Sequence, residues 1–193
     1  MDVTDSSTTR SPAATRLLGR LVEDRATIDG PAGALAPLAA LAKGRGVWRR
    51  VVTGQVVGHA AHPFLTDLPI GFWTSASLLD VAGGPGAAGA ARRLVAAGLA
   101  SAPAAVLTGL AEYDGLGVRQ RRVAAVHASL NTASLVLYAA SWAVRPRRRA
   151  LGVALALGGL SVSGVSAYLG GHLAIAEKVG TTTEATVQPA APA

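Results

Sequence analysis

The chain has 193 residues, half of them hydrophobic and 15% charged, a charged fraction well under the ~25% of soluble domains. It has no cysteine, which excludes disulfides, thiolate zinc sites, iron–sulfur ligation and a cysteine nucleophile. The net charge of +7 sits in short arginine-rich patches without interleaved aromatics, which suits lipid headgroups and topology signals and argues against a nucleic-acid platform.

In chain order, residues 1–46 read as a polar and amphipathic lead-in, 47–175 as a membrane domain and 176–193 as a disordered tail. Met1 to Ser11 is polar enough to stay disordered, and no apolar core follows a charged start, so no signal peptide is expected. From Thr15 to Ile28 the residues Leu17, Leu18, Leu21, Val22 and Ile28 recur at helical spacing. Leu35, Leu38 and Leu41 repeat the pattern up to Lys43-Gly44-Arg45. Both stretches predict amphipathic helices lying on the membrane surface or on a bundle; the alternative is a loosely ordered lead-in.

Four apolar segments follow: Phe64 to Val81, Leu94 to Ala111, Val123 to Val144, and Ala150 to Leu169. Each is long enough to cross a bilayer, which takes ~20 residues, and the links between them are short and rich in glycine or charge. Short links force antiparallel neighbours. The expected fold class is therefore all-α, an integral membrane four-helix up-down bundle with N-terminal amphipathic helices. Stripes of small residues would glue it, Ala97, Ser101, Ala105 and Gly109 on the second segment and Gly159, Ser163, Ala167 and Gly171 on the fourth. Pro103 should kink the second helix and Pro69 bend the first. Gly84, Gly86 and Gly89 match a dinucleotide-type pattern but follow a membrane helix instead of a strand, so they read as a loop.

An even number of spans brings all four histidines to one face. His59 and His62 precede or open the first helix, His127 lies near the start of the third, and His172 just past the fourth. Other polar residues point to the same end: Thr66, Asp67, Thr108, Glu112, Asp114, Tyr168, and a stripe of His127, Asn131, Ser134, Tyr138 and Ser141 along the third helix. Polar groups in hydrocarbon face the bundle interior or a cavity, so a polar pocket is expected there. Two readings stay open. In the first, His62 with His127 or His172 holds haem b or another metal, with His59 close by, or relays protons. In the second, the histidines only bond Asp67, Asp114 and backbone carbonyls to close the bundle. Asp67 is expected to pair with a histidine at its depth, and Asp80 to sit at the interface and reach headgroups. Soluble-type hydrolase and nucleotide motifs are absent from the sequence.

The stretch GHAAHPFLTDLPIGFW, Leu79-Asp80, the turn from Gly109-Leu110-Ala111 to Asp114, the pair His127 and Asn131, and Tyr168-Leu169-Gly170-Gly171-His172 resemble a bacterial family of predicted four-helix membrane proteins of unknown function. The resemblance covers roughly Val47 to Gly180. It implies redox company, because some relatives continue into a Rieske iron–sulfur domain whose cysteines this sequence lacks. The expected protein is thus a multi-pass protein of the cytoplasmic membrane, with both termini and the histidines on the cytoplasmic side. Its partners are the lipid bilayer and a Rieske-type or other redox protein; the alternative is a non-catalytic anchor or interaction subunit.

Overall fold

A computed structural model describes residues 13–180, so the readings of Met1 to Ser11 and of the Thr/Ala/Pro tail as disordered fall outside the described residues. Among the described residues the secondary structure is helical, without a strand. The predicted helix from Thr15 to Ile28 is broken: α1 (Ala13–Leu18) widens into a π turn over Gly19–Glu23, and a 3-10 turn covers Ala26–Ile28. The break has an electrostatic cause. Arg122 donates to the Glu23 carbonyl at 2.6 Å and grips both carboxylate oxygens of Asp29, and Arg119 pairs with Asp24. Those contacts compete with the helical ladder for the segment's polar groups.

Helix α2 (Asp29–Lys43) has Asp29 in its first turn and Lys43 in its last, both favourable to the helix dipole, and ends at Gly44 with φ 55°. It leans on α5 and α6 with Ala32, Ala39 and Ala42 buried, while Leu38 and Leu41 stay exposed. Leu38 and Leu41 therefore face outward, and the small alanines make the contact because they let the backbones approach. A short α3 (Gly46–Val52) follows, tied back by the Trp48 indole N–H to the Ala42 carbonyl at 3.0 Å.

Four long helices come next: α4 (Ala61–Ala82), α5 (Ala88–Tyr113), α6 (Val118–Val144) and α7 (Arg149–Gly171). Each apolar segment picked out in the sequence lies within one of them. Pro69 and Pro103 sit inside α4 and α5, and both helices run on through them. Among the described residues three helical stretches are long and apolar enough to cross a membrane: Pro85–Tyr113, Val118–Val144 and Arg149–Ala176. Helix α4 is made more polar by Asp67, Asp80 and its Ser and Thr residues.

Helix α4 packs chiefly on α5, and α6 on α7; α5 then meets α6 and α4 meets α7, closing a ring. Helices α4 and α6 face each other across it, and their large side chains meet on the axis in three layers. The imidazoles of His62 and His127 stand 6.5 Å apart between ring centroids at one end. In the middle, Trp73 stacks on Tyr138 at 4.1 Å. At the far end, the Arg145 guanidinium donates to both carboxylate oxygens of Asp80, at 2.8 and 2.6 Å, with the two side chains only 3% and 1% exposed. Asp80 is thus a buried ion-pair partner instead of an interfacial residue. Its partner was hidden in what reads as a loop of arginines.

The stripes that α5 and α7 turn inward differ from those expected. On α5 they run Ala91, Val95, Gly98, Ala102, Ala105, and on α7 Gly152, Ala156, Gly159, Ser166. A strict four-residue spacing drifts about 40° per step round a 3.6-residue helix, whereas alternating steps of four and three keep to one side.

Candidate functional site

The site begins with two imidazoles, His62 in the first turn of α4 and His127 in the third turn of α6. Nδ1 of His62 bonds the Ala105 carbonyl of α5 at 2.9 Å and lies 3.4 Å from the Thr108 hydroxyl. Nδ1 of His127 bonds the Ser166 carbonyl of α7 at 2.8 Å, with the Ser166 hydroxyl 3.0 Å away. A carbonyl accepts only, so Nδ1 carries the proton in both rings and Nε2 keeps the lone pair. Glycine makes these approaches possible. A Cβ on Gly109 would lie 2.8 Å from Cε1 of His62, and one on Gly170 would lie 2.8 Å from Cε1 of His127.

Each neutral imidazole keeps an Nε2 lone pair. An imidazole whose Nδ1–H is fixed by a carbonyl is oriented to ligate through Nε2. The two rings stand 6.5 Å apart between centroids with their planes at 90°. The Asn131 carboxamide N–H currently donates to Nε2 of His127 at 3.0 Å and would have to turn aside. Two neutral imidazoles suit zinc, copper or haem iron by donor type.

The remaining expected site residues are dispersed. His59 is exposed and its Nδ1 contacts the Ala60 carbonyl. His172 lies apart from the pair, 3.0 Å from a carboxylate oxygen of Glu23. Thr66 donates to the Pro63 carbonyl at 2.7 Å, within its own helix. Asp67 is exposed on α4, without a histidine partner among the described residues, because its position on the helix turns it away from the axis. Asp114 pairs with Lys43 at 3.0 Å, and Tyr168 is 48% exposed, so neither lines the pair. Of the predicted companions, Asn131 and Thr108 join it.

Thr108 and Glu112 were already placed at this end by the sequence, whereas Ser166, Gly109 and Gly170 were not read as part of the site. Ser166 and Thr108 contact the rings, and Gly109 and Gly170 clear space for them. Glu112, one turn past Thr108, has a buried Oε1 with no hydrogen bond. It lines a cavity of about 320 Å³ at this end, together with Lys43, Gln55, Gln120 and Lys178. The signal for Ser166, Gly109 and Gly170 was a repeat. His127, Tyr138 and Arg145 stand at one constant offset from His62, Trp73 and Asp80. Ser166, Gly159 and Gly170 stand at another from Ala105, Gly98 and Gly109. The hairpins α4–α5 and α6–α7 therefore follow one plan twice, both starting at the histidine end.

A protein-family model described as a predicted membrane protein (DUF2231) matches residues 58–183, which take in all four long helices. No curated protein and no solved structure matches the chain.

Proposed function

The chain belongs to this DUF2231 family of predicted membrane proteins, and from that premise we infer an electron-transfer bundle of the cytoplasmic membrane built round a bis-imidazole centre. In this reading α4 crosses the bilayer with α5, α6 and α7, giving a four-helix up-down bundle of residues 47–175. Its 22 residues reach about 33 Å, enough for the ~30 Å hydrocarbon core. Its exposed Phe64, Leu68, Ile70, Leu78 and Val81 suit lipid, while Trp73 and Ser77 turn inward. The histidine end and both termini lie on the cytoplasmic side.

One observation carries the functional reading: two imidazoles from opposite helices meet on the bundle axis, each with Nδ1 held by a neighbouring backbone. His62 and His127 would hold haem iron or a single metal ion through Nε2. Haem iron or copper held there would supply one-electron chemistry, and a Rieske-type or other redox protein is the partner it would serve. The role of this chain's own residues is orientation. Ala105 and Ser166 fix the ring tautomers, and Gly109 and Gly170 set their depth.

The visible spectrum of the full-length protein purified from haem-sufficient cells tests this, together with its metal content. A Soret band or stoichiometric metal that is lost in His62→Ala and in His127→Ala supports the centre. A colourless, metal-free protein refutes it. A second reading rests on Asn131, whose N–H already satisfies His127 Nε2. In that case the imidazoles fasten each hairpin, and the protein is a membrane anchor or interaction subunit.

A further inference from the structure

A second cluster of ligating groups lies outside the bis-imidazole pair, where the lead-in meets the end of α7. His172 Nε2 is 3.0 Å from Oε1 of Glu23 and 3.8 Å from Oε1 of Glu177, and the three ligand atoms lie within 4.8 Å of one another. Two separate segments supply them. Glu23 closes the π turn Gly19–Glu23, while His172 opens a second π turn, His172–Ala176, that Glu177 follows. The wide turn matters. In an α-helix the fifth residue onward lies about 140° round the axis. Here the Glu177 N–H bonds back to the His172 carbonyl at 3.1 Å, and the two side chains come to the same side.

The cluster is oriented by its surroundings. Gln120 donates to the other oxygen of Glu177 at 3.3 Å, and Arg122 holds the Glu23 carbonyl at 2.6 Å. Such outer contacts position ligands. Nearby carboxylates are Glu23, Asp24, Asp29 and Glu177. The guanidiniums of Arg119 and Arg122 are taken by Asp24 and Asp29. Arg119 adds favourable charge near Glu23 and Glu177, but only the His172 imidazole stands between their carboxylates, and a divalent cation there would bind both. Glu23 and His172 are 16% and 10% exposed, so this charge is poorly hydrated, while Glu177 at 42% leaves an approach from solvent.

We propose that Glu23, His172 and Glu177 form a divalent transition-metal site that staples the N-terminal segment to the end of the last membrane helix. One nitrogen and two carboxylate oxygens suit zinc, whose tetrahedral ligands stand about 3.3 Å apart, with water in the fourth position. The nitrogen disfavours calcium and magnesium. The site is independent of the bis-imidazole pair, sharing no residue with it.

Zinc titration of the full-length, chelator-stripped protein in detergent, followed by calorimetry, tests the proposal. We expect saturable binding that survives in the double variant His62→Ala/His127→Ala. It weakens about tenfold or more in Glu23→Gln and in Glu177→Gln. Glu177 is a surface residue, so its variant keeps the fold. Zinc should also slow tryptic cleavage at the exposed Arg20 and Arg25 in the parent and not in Glu177→Gln. Absence of saturable binding overturns the staple. So does binding unaltered by both glutamine variants, or binding lost in the double histidine variant.

Discussion

Gly98, Gly109, Gly159 and Gly170 each lie against a ring on the neighbouring helix, Trp73, His62, Tyr138 and His127 in turn. A methyl at any of them meets that ring at 3.0 Å or less, and the ring is held on its far side by the bundle. Gly109→Ala and Gly170→Ala should each cost about 1–3 kcal/mol, read as a lowered unfolding midpoint in detergent. The buried pair Asp80–Arg145 makes a sharper case. Removing one partner strands a charge, so Asp80→Leu should cost about 3–5 kcal/mol. Asp80→Leu with Arg145→Leu should recover much of that, and a double-mutant cycle that found simple additivity would deny the coupling. Outside the membrane, the Arg122 guanidinium bonded to Asp29 holds that carboxyl below its ordinary value of 3.8. Its contribution to docking the N-terminal segment is therefore complete above that ordinary value and fades only as pH falls through the lowered one. Amide exchange over residues 29–43 should not change between pH 7 and pH 5 on account of this pair, with loosening confined to stronger acid.

At the level of elements, hydropathy was enough to find the four long helices, because each is a long apolar run bounded by glycine or arginine. It failed where side chains outside the helix decide its course. The lead-in helix breaks because Arg119 and Arg122, some ninety residues on, take Glu23, Asp24 and Asp29. No local pattern shows that. The leucines of α2 were legible as a stripe, but the buried side carries alanine, since close backbone approach outranks apolar area against a helix of small residues. The same preference shapes α5 and α7. Their contact stripes follow steps of four and three, and Val95→Phe, facing the Trp73 layer on that stripe, should overpack the core by about 1–3 kcal/mol. A thermal unfolding scan would check it. Val106→Phe, on the exposed side of the same helix, should leave the midpoint nearly unchanged.

Across the whole molecule, two hairpins of one plan build three layers on an axis: imidazoles, stacked aromatics and an ion pair. Half of the candidate site was readable, since His62, His127 and Asn131 follow from helical spacing and an even number of crossings. The rest was not, for two reasons. Hydropathy assigns no inward or outward direction, so Asp67 and Tyr168 looked equivalent to Asn131. The repeat relating His62 to His127 is carried by spacing more than by residue identity, since Trp73 answers to Tyr138 and Asp80 to Arg145. In the proposed arrangement α4 crosses the bilayer with the other three helices. Because the chain has no cysteine of its own, single cysteines can report it without background. Gln55→Cys, Gly115→Cys, Gly84→Cys and Arg147→Cys, probed with a membrane-impermeant thiol reagent in sealed vesicles, should divide into two pairs. Gln55 and Gly115 should be labelled from one side, and Gly84 and Arg147 from the other. Labelling of Gln55 and Gly84 from the same side would contradict it.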